Sequence, residues 1–373
     1  MTLSDTFRRA CYLAQRGYFR ARERAHVLNR RTLTPCIRAG TSLASAGEHA
    51  GKRVFVTTIL RNSQNDHMTG FLYELDWGSR EILHAIPLAL TEGARFWNPR
   101  GANRGGRGMA VMDGTLLVGT AQRILKFDRQ LNYVGAIENP NFASVHGLAR
   151  DSDSIWATSG GHDMILNVDA CGNTRRIWAG HESRLLRRKF FLPRRELNIG
   201  LDFPESDFIE AFAKYSTEEL FHINALHLGE THVFALLPRV RSVIQLDRLG
   251  TEFNEQIVFT DPRLSLGHDL VLWEDQFLVN DTHRQNVRIY SRTGKLKKSL
   301  DTMLVPLAHR SRIFLSGGWQ RGLAHFHDSV FLVGTSPATL FELDVRNNRI
   351  GQVMQIDSDI NNSVHNILVT SEL

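Results

Sequence analysis

Val145-His146-Gly147-Leu148-Ala149, followed after a turn by Ile155-Trp156-Ala157-Thr158, is the stretch whose reading decides the fold. A polar residue heads a short apolar run, and a second β-type run comes soon after it. The unit returns as Arg107-Gly108-Met109-Ala110, His222-Ile223-Asn224-Ala225, His268-Asp269-Leu270-Val271, Arg321-Gly322-Leu323-Ala324 and His365-Asn366-Ile367-Leu368. Each second run leads to a third, and several of these close on an aspartate: Asp128, Asp169, Asp247 and Asp344. Short strands, even spacing and a recurrent closing Asp turn predict a repeated four-stranded sheet, the blade of a β-propeller.

The two ends of the sequence set the number of blades. His365-Asn366-Ile367-Leu368-Val369 reads as a first strand with no second strand after it, and Val54-Phe55-Val56 as a second strand with no first before it. Pairing them closes the ring and removes an exposed sheet edge. The expectation is an all-β, six-bladed β-propeller over residues 53–373, preceded by a basic N-terminal helical extension over residues 1–52. The interval from His146 to His222 leaves room for a seventh blade. Residues 180–221 carry Arg184-Leu185-Leu186-Arg187-Arg188-Lys189 and no second-strand motif, so they read as a helical, charged insertion. Residues 298–317 read as a smaller insertion.

The net charge of +6 is unevenly placed: residues 1–53 hold 11 Lys/Arg against 3 Asp/Glu, and the remainder sums to about −2. Arg8, Arg9, Arg16, Arg20, Arg22 and Arg24 interleave with Phe7, Leu13, Tyr18 and Phe19. That is the pattern of a basic amphipathic helix, which packs on the main domain, meets an anionic surface or directs the chain to an organelle. The segment lacks the apolar core of a secretory signal, and no apolar run is long enough to span a bilayer, so the expected location is cytoplasmic. Cys11, Cys36 and Cys171 are widely spaced and odd in number, which argues against a disulfide framework and a thiolate zinc site. The Arg184–Arg195 cluster matches no known nucleic-acid-binding module, which argues against nucleic acid as a partner.

In a propeller the innermost strands line a central channel, and their first residues stand at its rim. Four of these heads are His146, His222, His268 and His365; the other two are Arg107 and Arg321. Imidazole is the commonest neutral metal ligand, and three with one position left open make a catalytic site. The set is expected to hold one divalent metal, Zn2+ or Fe2+. His146, His222 and His268, from consecutive blades, form the main trio, with His365 opposite or completing it. Arg107 and Arg321 follow glycine-containing approaches with a tryptophan, Trp97–Arg107 and Ser316–Arg321, and read as a clamp for carboxylate, sulfate or phosphate. Pairing with acidic residues such as Asp269 is the other use of such arginines. Loops between second and third strands open on the same face. His162 (Gly160-Gly161-His162-Asp163) and His283 (Asn280-Asp281-Thr282-His283-Arg284) are the candidates there for moving a proton, and Asn65-Asp66-His67 is a third loop of this type.

The first-strand form of His222-Ile223-Asn224-Ala225-Leu226 and Arg321-Gly322-Leu323-Ala324 resembles the NHL-type and SMP-30/gluconolactonase-type six-bladed propellers, over residues 53–373. The histidine set is similar to that of the peptidyl-α-hydroxyglycine amidating lyases. That resemblance implies a channel-mouth zinc on His146, His222 and His268, with Arg107 or Arg321 in the arginine role. The fourth histidine head, the missing secretory signal and the missing disulfides depart from that family.

The expectation is therefore a metal-dependent propeller enzyme, a lyase or hydrolase or else an oxygenase, acting on a small anionic or peptide-like substrate. The alternative is a non-catalytic propeller that binds a protein or carbohydrate through its rim. Oligomeric state is not set by the sequence.

Overall fold

The computed structural model describes residues 37–61, 69–88, 105–192, 220–302, 319–359 and 361–373. These form six antiparallel sheets and two short α-helices, Ala46–His49 and Arg184–Phe190. Blade 1 joins the C-terminal strand Asn362–Thr370 to Arg53–Leu60, Gly70–Asp76 and Glu81–Leu88. Blade 2 runs Met109–Met112, Thr115–Gly119, Arg123–Phe127, Tyr133–Glu138, and blade 3 Val145–Asp151, Ser154–Ser159, Met164–Asp169, Thr174–Ala179. Blade 4 comprises Ala225–Leu228, His232–Leu237, Ser242–Asp247 and Gln256–Thr260, and blade 5 Gly267–Trp273, Gln276–Asp281, Asn286–Ser291 and Leu296–Asp301. Blade 6 holds Leu323–His327, Val330–Thr335, Thr339–Asp344, Arg349–Gln355 and a fifth, outermost strand, Ile37–Ala39.

The burial pattern follows from blades packing face to face. Second strands are covered on both sides, so Ser154–Ser159 and Val330–Thr335 are buried along their whole length. The outer strand Thr174–Ala179 is largely exposed. Apolar residues of adjacent blades meet between the sheets: Val54, Val56 and Tyr73 of blade 1 share one cluster with Leu332, Leu340 and Met354 of blade 6. The expected Asp turns are present. Asp128 Oδ1 accepts the N–H groups of Gln130 and Asn132, and Asp169 Oδ1 those of Cys171 and Asn173. Hydrogen bonds from Asn132 and Asn173 first, then backbone N–H groups, hold both carboxyls below their usual range.

Ring closure is as expected, with Val54 opposite Val369, Val56 opposite Ile367 and Leu60 opposite Asn362. The inner strands of blades 3 and 4 are direct neighbours, as are those of blades 4 and 5, 5 and 6, 6 and 1, 1 and 2, and 2 and 3. Six blades complete the circle, and no seventh stands between blades 3 and 4. In the expected insertion, Gly180–Glu182 form a 3-10 turn and Arg184–Phe190 a helix, capped by the Ser183 hydroxyl on Leu186 N–H; residues 193–219 lie outside the described residues. Of the smaller insertion, 298–301 belong to the outer strand of blade 5 and 303–317 lie outside the described residues, as do residues 1–36 of the N-terminal extension and the Asn65-Asp66-His67 loop.

Of residues 37–52, placed in the helical extension on sequence pattern, Ile37–Ala39 form a strand, followed by a strap that carries the short helix Ala46–His49. Ile37–Ala39 pairs with Val353–Gln355, because the outer strand of blade 6 offers an edge that would otherwise be bare. Among the described residues no helix is long and apolar enough to cross a membrane.

Candidate functional site

Close approach of the inner strands brings the six heads together. Glycines follow two of the heads where strands nearly touch: a Cβ on Gly108 would lie 2.5 Å from the His146 carbonyl, and one on Gly147 3.0 Å from Leu226 N. Three histidine heads sit at breaks in the ladder. Pairing skips His365 between Asn366 and Val364, skips Asp269 beside His268, and gains one extra residue across His146-Gly147. A β-bulge breaks the alternation of side chains and re-aims one of them, here toward the channel.

The imidazoles gather accordingly. Ring centres are 4.8 Å apart for His146 and His222, 5.0 Å for His146 and His365, and 6.3 Å for His268 and His365. His146, His268 and His365 are buried and His222 is half-buried. Burial holds His146, His268 and His365 well below the usual imidazole range. Guanidinium charge adds to this, from Arg107 on His146 and from Arg321 on His268 and His365. All three are neutral at neutral pH and retain a lone pair for a ligand.

The tautomer of His268 follows from its neighbours. Its Nδ1 lies 2.6 Å from Thr282 Oγ1 and 3.2 Å from the Leu266 carbonyl. Thr282 spends its single hydroxyl proton on the Gln320 carbonyl, so Nδ1 carries the hydrogen and Nε2 the lone pair. That Nε2 is buried with no hydrogen-bond partner among the described residues, as are His146 Nδ1 and both nitrogens of His365. Each unmet buried polar atom costs about 1–3 kcal/mol, which a ligand that meets it would recover. Two imidazoles on one tetrahedral ion have ring centres roughly 5 Å apart, which the closer pairs match. Among the described residues, however, no three of these histidines present nitrogens all within 4.8 Å of one another. The donor set fits a Zn2+ or Fe2+ ion in chemistry, and a tripod needs rotation of the rings.

Arg107 donates through Nη1 to Ser144 Oγ at 2.8 Å, and that hydroxyl is 3.1 Å from His146 Nε2. Arg321 is buried with its guanidinium 5.2 Å from the Trp319 ring centre, and Arg61 stacks on the same ring at 3.6 Å. Arg61 also depresses His365. Trp319, the tryptophan of the approach to Arg321, thus joins the site together with Arg61, which nothing in its local spacing marks. His283 is exposed at its edge, 5.3 Å from Trp319 and 3.3 Å from Ser265 Oγ. Burial, and then Arg321 and Arg61, hold it below the usual range against the pull of Asp281. His162 is turned elsewhere: its Nδ1 donates to the Asn141 carbonyl at 3.0 Å, and the imidazole that acts on it is His181.

Two aspartates position the heads. Asp163, neighbour of His162, accepts the backbone N–H groups of Leu220, Phe221 and His222. That fixes His222 in a left-handed conformation, φ +55°. Asp269 accepts from Gly322 N–H at 2.8 Å, beside Arg321, and from Asn280. Burial pushes both carboxyls up to about 6. A folded pKa above the unfolded value contributes stability that is complete below about pH 4 and is lost as pH rises through 6. For Asp163 this amounts to about 3 kcal/mol. Asp163→Asn is expected to lack that slope, so urea midpoints at pH 4.5 and 7.5 will differ less in the variant than in the parent.

No family model matches the sequence, and no curated protein does. Among solved structures, the chain is similar to a Bacteroides caccae protein of unknown function, at 10% identity, with 85% of this chain and 98% of that one covered and a TM-score of 0.53. It is similar in the same way to a chain of a nidogen/laminin complex, at 11% identity, with the same coverage and TM-score. Virginiamycin B lyase from Staphylococcus aureus aligns at 12% identity over 66% of this chain and 69% of that one, with a TM-score of 0.42. At such identities the likeness is one of architecture: the chain is a six-bladed β-propeller.

Proposed function

We propose that the channel mouth is a metal-dependent catalytic centre for a small anionic substrate. His268 Nε2, His365 and His146, with His222 completing the set, would hold one divalent ion, Zn2+ or Fe2+. The single observation behind this reading is the lone pair of His268 Nε2, buried without a partner beside the equally bare nitrogens of His365 and His146. Bound there, the ion would supply Lewis-acid chemistry of the lyase or hydrolase kind, or dioxygen chemistry. Arg107 and Arg321 would hold the substrate's carboxylate, sulfate or phosphate, and His283, at the exposed edge, would exchange a proton with solvent. The guanidiniums oppose a lone cation, so ion and anionic substrate would bind together.

The test is metal analysis of protein purified without added metal. About one equivalent of a transition metal held by these histidines is expected, so His146→Ala/His268→Ala should bind roughly one equivalent less than the parent. Metal-free wild type with no binding to lose would end the metal reading. The guanidiniums of Arg61, Arg107 and Arg321 around His365 favour a second reading, a non-catalytic propeller that binds an anionic partner. In that case anion affinity survives chelation and the histidine substitutions alike.

A further inference from the structure

The inner strand of blade 6 runs away from Arg321 and ends, on the opposite face, at His327. The hairpin turns there through Asp328. The strap helix Ala46–His49 lies against this turn. Glu48 Oε2 accepts the Ser45 N–H, and Oε1 stands 3.0 Å from His327 Nδ1. Asp328 Oδ2 is 3.8 Å from the same nitrogen, and the three ligand atoms all lie within 4.8 Å of one another.

The His327 side chain is only 9% exposed, and neither ring nitrogen makes a hydrogen bond among the described residues. The 3.0 Å approach of Glu48 therefore lacks hydrogen-bond alignment. Two ligands of one ion, each bound at roughly 2.1 Å, stand about 3.0–3.5 Å apart, so the spacing is that of atoms sharing a cation. Glu48 and Asp328 bring two negative charges. Lys52, whose ammonium is bound to the Phe326 carbonyl at 2.7 Å, offsets one of them. Asp328 is largely exposed, which leaves an entry route.

We propose that Glu48, His327 and Asp328 form a second, structural site for a divalent ion of the Mn2+ to Zn2+ group, with water completing the shell. One imidazole and two carboxylates suit that group. The ion would staple the strap to blade 6 where the strap crosses to blade 1, on the face away from the histidine cluster. This site stands independently of the function proposed for the channel mouth.

The test uses the full chain stripped with chelator, with Zn2+ and Mn2+ alone as probes. In the His146→Ala/His268→Ala background, Zn2+ at a hundredfold excess over Kd is expected to raise the melting temperature by about 4 °C. Glu48→Gln or Asp328→Asn in that background is expected to weaken the ion at least about tenfold and so erase about half of the shift or more. In the otherwise wild-type chain, Asp328→Asn, at an exposed position that folding tolerates, should remove one bound equivalent. A Zn2+ response equal with and without Asp328→Asn, or none in either, would identify a plain Glu48–His327 ion pair and overturn the proposal.

Discussion

Replacing Arg107 and Arg321 together by alanine is expected to weaken an anionic ligand by roughly 100-fold or more, the sum of two charge-assisted contacts at about 1.5–3 kcal/mol each. Inorganic phosphate and sulfate are the first probes, read by calorimetry and by protection against heat. Both guanidiniums are buried at the rim, and both act on His365. Their fields are little screened, so the loss should persist at high salt. Arg61→Ala is expected to cost less, because that side chain is half-buried and stacks on Trp319. Equal phosphate binding by the double variant and the parent would remove the anion clamp from the site.

Glu342→Ala is expected to destabilise the fold by about 3–5 kcal/mol, measured from urea midpoints. The carboxylate is fully buried in the third strand of blade 6. Oε1 accepts from Trp77 Nε1 at 2.8 Å and Ser42 Oγ at 2.7 Å, and Oε2 accepts from Leu43 N–H and Gln352 N–H. One side chain thereby ties blade 6, blade 1 and the strap together at the ring closure. Alanine leaves four donors facing a void, whereas Glu342→Gln keeps one accepting oxygen and should lose about half as much. A change below about 1 kcal/mol would mean that the closure rests on the strands alone.

Much of this architecture is legible in residue order. Strands declare themselves by short apolar runs and by Asp turns whose carboxylates accept the next N–H groups, both local effects. The pairing of Asn362–Thr370 with Arg53–Leu60 follows from two incomplete repeats, since an unpaired edge is costly. The repeat also shows which residues head the inner strands, and those heads do meet: His146, His222 and His365 stand ring against ring.

Other features have no local signature. Ile37-Arg38-Ala39 is too short to show a period, and it is a strand only because Val353–Gln355 presents a partner. His162 and Asp163 look alike as loop residues; the approach of residues 220–222 decides that Asp163 holds the backbone while His162 turns to Asn141. Glu342 reads as one polar residue in an alternating strand until Trp77 and the strap arrive from 265 and about 300 residues away. Sequence by itself thus determined the blades and the residues at the channel rim, because strand period and turn chemistry act over a few residues. Tertiary structure decided that the blades number six and not seven, which ring nitrogens are left bare, which carboxylates position the heads and where Glu48 meets His327. Those depend on long-range contacts and on bulges that turn a side chain without changing its place in the sequence.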